Sequence, residues 1–261
     1  VDFPDFNLRL ARRLHARGIP VVYFIAPQLW AWRTGRLRSF QRHVRKVLCI
    51  FPFEKHIYER AGVDVEYVGH PLVGRAEPTM TQSEFFAQHH LHPKRPLVCL
   101  LPGSRDQEVR RHLPILLAAA ERLDERHPVQ FVLVRAPTVE PQVLKSQLKR
   151  GEVRVVDAPV YNALAASTVA VAASGTATVE AALLETPLVV VYRVAPLTWW
   201  LGRQLVRTPY YSMVNVIAGQ RVVPELIQDD FTPERVANEV GLLLTQVGVR
   251  EEMKEQLRAV R

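Results

Sequence analysis

Short apolar runs alternate with longer amphipathic stretches through the centre of the chain. The apolar runs predict strands at 96–101, 129–134, 153–156, 169–173 and 188–192. Between them, apolar residues at helical spacing predict helices at 108–126, 139–149, 160–167 and 177–185. This regular alternation predicts a parallel, doubly wound α/β sheet, in which ligands bind at the carboxyl ends of the strands.

The first 70 residues show a similar but shorter pattern, typical of the later part of another α/β domain. It predicts a helix that begins at Asp5 or Asn7 as its cap and ends at Gly18, with further helices at 36–43 and 52–61 and strands at 21–25, 44–51 and 65–68. We therefore expect three segments: the C-terminal part of a Rossmann-like domain (1–72), a second Rossmann-like domain (73–246) and a terminal helix (247–261), whose return to the first domain is left open. The start, which lacks Met, suggests an N-terminal truncation.

The composition and charge of the chain favour some classes of protein and argue against others. The 261 residues are 48% hydrophobic, enough for a sizeable core, and the net charge of +8 favours anionic partners. Because the basic residues are dispersed, a nucleic-acid module is not expected. No apolar run approaches the ~20 residues of a membrane span, and both cysteines lie in apolar runs typical of a reducing, cytoplasmic compartment.

Two loops carry the chemistry of an anion site. Gly103, Ser104 and Arg105 lie between a predicted strand and a helix, where free N–H groups and the helix dipole favour a phosphate and arginine adds a fork of donors. The alternative is an ordinary turn with a surface arginine. The second loop, Ser174-Gly175-Thr176, has the same placement.

Glu180 lies on the first turns of the helix after the second loop. Its carboxylate suits two adjacent sugar hydroxyls, although it could also merely complement the helix dipole. Near 89–92 three histidines occur, but their spacing does not fit a metal site, and none is predicted. Leu197, Trp200, Leu201 and Leu205 form an apolar stripe that suits a membrane interface or, as we favour, packing on the partner domain.

Several motifs occur in a family-like order across nearly the whole chain, and as a set they are specific. They include Asp2-Phe3-Pro4-Asp5, Pro27-Gln28-Leu29-Trp30-Ala31-Trp32-Arg33, Gly69-His70-Pro71, Leu101-Pro102-Gly103-Ser104-Arg105 with Glu108, Ala173-Ser174-Gly175-Thr176-Ala177 with Glu180, and Asn215 with Ala218-Gly219. By these motifs the chain resembles the lipid-A-disaccharide synthases, glycosyltransferase family 19.

The resemblance implies a two-domain glycosyltransferase B fold. It implies transfer of 2,3-diacylglucosamine from its UDP conjugate to 2,3-diacylglucosamine 1-phosphate, with inversion, no cofactor and no bound metal. Carried over to this sequence, it makes Asp2 the general base and Arg105 a catalytic group that stabilises the leaving UDP. Donor contacts are expected from Gly103, Ser104, Arg105, Ser174, Gly175, Thr176, Glu180 and Asn215, and acceptor or cleft contacts from Trp30, Trp32, Arg33 and His70.

The chain departs from the family pattern at its start, where the Gly-rich first strand and loop are absent. Activity of this chain is therefore left open. The expected location is the cytoplasmic face of the inner membrane, as a peripheral protein without a nucleic-acid partner, and a homodimer is left open. Two alternatives remain at this point: an isomerase like UDP-N-acetylglucosamine 2-epimerase, and a non-catalytic basic α/β domain that binds anions or membranes.

Overall fold

The computed structural model describes residues 3–27, 34–148, 153–205 and 208–260. The chain forms two compact units. The first contains Val1–Val73 and Trp200–Pro209, and the second contains Gly74–Trp199 and Tyr210–Arg261.

The first unit has a parallel sheet of three strands among the described residues, in the order β1-β2-β3. Tyr23 of β1 pairs with Val47 of β2, which pairs in turn with Val65 of β3. A core centred on the buried rings of Phe40 and Tyr58 supports the sheet. The elements are α1 (Pro4–His15), β1 (Val22–Phe24), α2 (Leu37–His43), β2 (Lys46–Cys49), α3 (Pro52–Arg60) and β3 (Val65–Tyr67).

The start of α1 differs from the prediction. Phe3 occupies the N-cap without a side-chain hydrogen bond, and Pro4 is the first helical residue, where its missing N–H is no loss. Asp5 lies in the first turn and forms an ion pair with Arg36. Asn7 donates from Nδ2 to the Tyr23 hydroxyl at 3.2 Å. The prediction that Asp5 or Asn7 caps this helix was therefore wrong, because tertiary partners hold both side chains.

The second unit contains a six-stranded parallel sheet in the order β6-β5-β4-β7-β8-β9. Its strands are β4 (Leu97–Leu101), β5 (Gln130–Val134), β6 (Arg154–Val156), β7 (Val169–Ala173), β8 (Leu188–Tyr192) and β9 (Glu225–Ile227). The helices after residue 73 are α4 (Gln82–Gln88), α5 (Asp106–Arg126), α6 (Pro141–Lys145), α7 (Val160–Ala166), α8 (Thr176–Leu183), α9 (Pro196–Leu205, whose residues are divided between the two units), α10 (Met213–Ala218), α11 (Pro233–Thr245) and α12 (Val247–Val260).

The two central strands of this sheet position the site. Every residue of β4 and of β7 is buried, because helices cover both faces of a doubly wound sheet. The strands are direct neighbours, with Leu101 opposite Ala172. The carboxyl ends of these two strands therefore lie side by side in the middle of the sheet, and so do the two loops that follow them.

The alternating pattern predicted the parallel sheet of the second unit correctly, and this part of the prediction is confirmed. It missed α10 and β9, which are only six and three residues long. It also extended α6 too far, since that helix ends at Lys145. Short elements of this kind are stabilised by tertiary contacts, which leave little periodicity in the sequence.

Candidate functional site

A cavity of about 540 Å³ opens at the carboxyl edge of the large sheet, where β4, β5, β6 and β7 end. The two predicted anion loops form neighbouring walls of this cavity. The predicted residues that line it are Gly103, Ser104, Arg105, Ser174, Gly175, Thr176 and Glu180. The structure thus brings together seven residues that are up to 77 positions apart in the sequence.

The first wall is the loop from β4 to α5, and Glu108 organises it from the first turn of α5. One carboxylate oxygen of Glu108 accepts from the Ser104 N–H at 3.1 Å, and the other accepts from Nη1 of Arg105 at 2.8 Å. Gly103 has a φ of +133°. A Cβ at this position would lie 2.7 Å from both Cβ and Oε2 of Glu108, so the turn has room only for glycine.

A buried histidine fixes the base of this loop. Nδ1 of His112 lies 2.7 Å from the Pro102 carbonyl, and Nε2 lies 3.0 Å from the Arg193 N–H. Nε2 also lies 3.1 Å from the Arg193 carbonyl. A neutral ring that donates from Nδ1 and accepts at Nε2 satisfies the contacts with the Pro102 carbonyl and the Arg193 N–H. Burial lowers the pKa of His112, in agreement with a neutral ring. His112 therefore ties the β4–α5 loop to the end of β8.

The second wall is the loop from β7 to α8, and it is built from small residues. Gly175 and Thr176 are exposed at the start of α8, where backbone N–H groups lack partners within the helix. The Ser174 hydroxyl donates to the Tyr211 carbonyl at 2.8 Å, and Thr178 donates back to the Gly175 carbonyl at 2.8 Å. A Cβ built on Gly175 would meet no atom within 4 Å, so this wall is open to a ligand.

Glu180 stands beside the second wall, one turn into α8. Its Oε1 accepts a hydrogen bond from the Tyr161 hydroxyl at 3.2 Å, and both side chains line the cavity. Burial raises the pKa of Glu180, and the hydrogen bond from Tyr161 partly offsets this effect. The arrangement leaves the other carboxylate oxygen available to accept from a ligand.

The opposite side of the cavity comes from the ends of β5 and β6. Arg135 pairs with Asp157 at 2.7 Å through Nε and donates to the Val139 carbonyl at 2.8 Å through Nη1, so these bonds engage two of its five N–H donors. Pro137 and Pro159 add rigid apolar surface. The cavity therefore combines an arginine and two helix N-termini, which suit an anion, with a carboxylate, which suits hydroxyls. Its prolines add an apolar side, which suits a planar ring.

Asn215 does not line this cavity. Its side chain is buried, with Nδ2 donating to Glu225 and to the Val223 carbonyl, both at 2.9 Å, and Oδ1 accepting from the Val222 and Val223 N–H groups. Glu225 also accepts from the N–H groups of Tyr211 and Ser212. Asn215 thus holds the segment that accepts the Ser174 hydroxyl, and its direct contact with the donor stays a prediction.

The remaining predicted residues belong to the first unit. His70 is half-buried, accepts the Leu72 N–H at Nδ1 and lies 5.4 Å from the Phe51 ring; burial lowers its pKa. The predictions for Asp2, Trp30, Trp32 and Arg33 lie outside the described residues. In the described ranges no group of three His, Cys, Asp or Glu side chains is arranged to hold a metal ion. Nor does any described helix have the length and apolar character needed to cross a bilayer.

Sequence reasoning missed three residues around the cavity. Arg135 directly follows β5, and Tyr161 lies on the first turn after β6, so the rule that ligands bind at strand ends would have found both. Glu108 belongs to the motif of the first loop without an assigned role, and its spacing of three from Arg105 is compatible with the ion pair seen here.

Comparisons with known proteins agree on one family. A family model described as lipid-A-disaccharide synthetase matches residues 1–260. The lipid-A-disaccharide synthase of Solibacter usitatus is 48% identical over 260 residues, covering 100% of this chain and 68% of that protein. The enzyme of the same name from Myxococcus xanthus is 44% identical over 264 residues, covering 100% and 69%.

Solved structures show the same fold at low identity. The Anabaena protein HepE, crystallised with UDP-glucose, has a TM-score of 0.60 at 14% identity and covers 96% of this chain and 69% of its own. WaaG, a glycosyltransferase involved in lipopolysaccharide biosynthesis, has a TM-score of 0.55 at 13% identity, with coverages of 91% and 69%. These similarities confirm the predicted glycosyltransferase B fold.

Proposed function

Since the chain belongs to the lipid-A-disaccharide synthase family, whose activity is that of a disaccharide-forming glycosyltransferase, we propose the substrates and the residues that act on them. The donor is UDP-2,3-diacylglucosamine and the acceptor is 2,3-diacylglucosamine 1-phosphate. The products are the β-1,6-linked disaccharide 1-phosphate and UDP.

The cavity at the carboxyl edge of the large sheet is the observation that supports this proposal. Two helix N-termini and Arg105 converge on one side of it, and Glu180 lies beside them. In the proposal the diphosphate of UDP binds at the two loops, and the ribose hydroxyls donate to Glu180. The uracil ring packs against the apolar side at Pro137 and Pro159.

The proposed reaction is a single displacement at the anomeric carbon. The 6-hydroxyl oxygen of the acceptor bonds to this carbon as the bond to the UDP oxygen breaks, and the electron pair of that bond stays on UDP. Asp2 accepts the hydroxyl proton as general base. Arg105 and the N–H groups of both loops stabilise the negative charge that develops on the diphosphate, and this interaction is strongest in the transition state.

The acceptor side of the proposal belongs to the first unit. Arg33 meets the 1-phosphate, Trp30 and Trp32 line the acyl or sugar region, and His70 contacts phosphate or acceptor. A neutral His70, favoured by its lowered pKa, would donate a hydrogen bond from Nε2 because Nδ1 already accepts the Leu72 N–H. Acylated substrates reside in membranes, so the proposed location is the cytoplasmic face of the inner membrane, without nucleic acid; dimerisation stays open.

Calorimetric titration with UDP in the presence of EDTA tests the nucleotide part of the proposal. We expect saturable binding to the 261-residue chain, and an Arg105→Ala/Glu180→Ala variant should bind UDP at least about a hundredfold more weakly, since it loses one charged donor and one charged acceptor. A turnover assay with the diacylated donor and acceptor then tests the reaction.

A matched control removes the same two residue types outside the cavity. Arg122 and Glu234 form an ion pair at 3.3 Å between α5 and α11. Arg122→Ala/Glu234→Ala should bind UDP like the unmodified chain. If the cavity variant also binds UDP with unchanged affinity, the site assignment is wrong.

Neither alternative is favoured. The family match covers the whole chain, whereas the UDP-N-acetylglucosamine 2-epimerase of Neisseria meningitidis shares only the fold, at 13% identity. A non-catalytic anion-binding domain would show salt-dependent binding to DNA or anionic vesicles and no preference for UDP.

A further inference from the structure

Tyr161 connects two helices that start at different places on the sheet. It lies on the first turn of α7, after β6, whereas Glu180 lies on α8, after β7. These strands are not neighbours, because β5 and β4 lie between them. The hydrogen bond of 3.2 Å from the Tyr161 hydroxyl to Oε1 of Glu180 therefore spans the cavity wall.

Within the described ranges, the Tyr161 hydroxyl is the one donor within hydrogen-bond distance of the Glu180 carboxylate. A glutamate side chain has three rotatable bonds, and the half-buried Glu180 forms no ion pair with a basic side chain of the described ranges. The hydrogen bond to Oε1 restricts the rotation of the carboxylate, and Oε2 keeps its capacity to accept from a hydroxyl in the cavity that Glu180 lines. The loss of the anchor would free the carboxylate to rotate.

We propose that Tyr161 is a positioning residue: it holds Glu180 in the orientation that accepts from the ribose hydroxyls of the nucleotide, and so helps to discriminate ribose from 2′-deoxyribose. This inference rests on the proposed function, which places ribose at Glu180. Because Tyr161 lies on α7 and Glu180 on α8, recognition of the sugar then depends on the relative positions of these two helices.

Titrations with UDP and 2′-deoxy-UDP test the proposal on the full chain. The unmodified chain should prefer UDP. In Tyr161→Phe, which keeps the ring and removes the hydroxyl, UDP affinity should fall about tenfold. The affinity for 2′-deoxy-UDP should fall only about threefold, because its 3′-hydroxyl alone remains to donate to Glu180, so the preference for UDP shrinks. Glu180→Gln should lose the same preference, and the double variant should lose little more, since both changes act on one interaction.

Tyr210→Phe is the matched control. The Tyr210 hydroxyl donates to the Gly219 carbonyl at 3.4 Å, and the residue does not line the cavity, so both affinities should stay unchanged. Equal losses for the two nucleotides in Tyr161→Phe, or no loss, would overturn the positioning role. A folded, unmodified chain that binds both nucleotides equally would overturn the ribose contact while leaving the diphosphate site. One that binds neither would overturn the proposed function itself.

Discussion

The two loops of the cavity look alike in the sequence but are built differently. Each follows a buried central strand, contains a glycine and a serine, and opens a helix. In the first loop, Gly103 has a φ of +133° and a Cβ there would lie 2.7 Å from Glu108. In the second, Gly175 has an extended φ of 160° and a Cβ would meet nothing within 4 Å.

The two loops differ in whether a side chain of the protein already occupies the N-terminus of the following helix. Glu108 already occupies the first loop, where its carboxylate accepts from the Ser104 N–H and from Arg105. In the second loop the Ser174 hydroxyl donates to the Tyr211 carbonyl, and no side chain of the described ranges caps the start of the helix. A glycine between a strand and a helix therefore has two distinct uses: room for a neighbouring side chain, or room for a ligand.

The largest expected effect comes from a pair of glycine substitutions. Gly103→Ala should destabilise the protein by about 1–3 kcal/mol, because it combines an unfavourable φ with a clash against Glu108. Gly175→Ala should leave the free energy of unfolding within about 0.5 kcal/mol of the unmodified value. Chemical denaturation of both variants measures this contrast.

UDP titration of the same pair extends the test. Gly175→Ala should bind UDP at least about tenfold more weakly although it is stable, because its new methyl group would occupy the space in which we propose that the diphosphate approaches the backbone. If Gly175→Ala is stable and binds UDP normally, the second loop is not a phosphate site. Equal destabilisation by both alanines would remove the distinction between the loops.

A change of pH should have a smaller effect on UDP affinity. The two loops differ here as well: Arg105 of the first loop carries a permanent charge, whereas Glu180 beside the second loop titrates. Burial raises the pKa of Glu180, and the ionised form is the one proposed to bind ribose. UDP affinity should therefore be full above this raised pKa and fall as the pH drops through it, at a pH above the ordinary glutamate value of about 4.3. Titrations at several pH values measure the midpoint.

The same pKa shift has the opposite effect on stability. A carboxyl group that is more easily protonated in the folded state stabilises the fold as the pH falls through its raised pKa. For the UDP titrations Glu180→Gln supplies the control, because it keeps the shape of the side chain and removes its titrating carboxyl group. An acid loss of affinity identical in Glu180→Gln and in the unmodified chain would exclude Glu180 as its cause.

The smallest effect should come from Glu108→Gln. The amide oxygen of the variant can still accept from the Ser104 N–H. The variant lacks the carboxylate that pairs with Arg105, so UDP no longer competes with that carboxylate for the arginine. Exposed ion pairs contribute little, and we expect a gain in UDP affinity of at most about fivefold. The gain should shrink at high salt, as titrations in low and high salt would show. A loss of affinity would instead mean that Glu108 holds Arg105 in its binding position.

Local patterns determined much of this protein. Apolar runs of the length of β4 and β7, separated by periodic helices, predicted a parallel sheet, and the glycine and serine residues after them predicted both loops of the cavity. These features depend on neighbours within a few residues, so they can be inferred from the sequence alone. The family was also identified from short motifs in order.

Only the tertiary structure decided which partners those residues have. Tyr161 and Glu180 are 19 positions apart and follow strands that are not adjacent, and no local rule predicts their hydrogen bond. Asn215 carries a motif signature, yet its side chain is satisfied by Glu225 and by the backbone of 222–223. Such contacts depend on the order of strands in the sheet and on which polar groups become buried together, and these are properties of the folded chain as a whole.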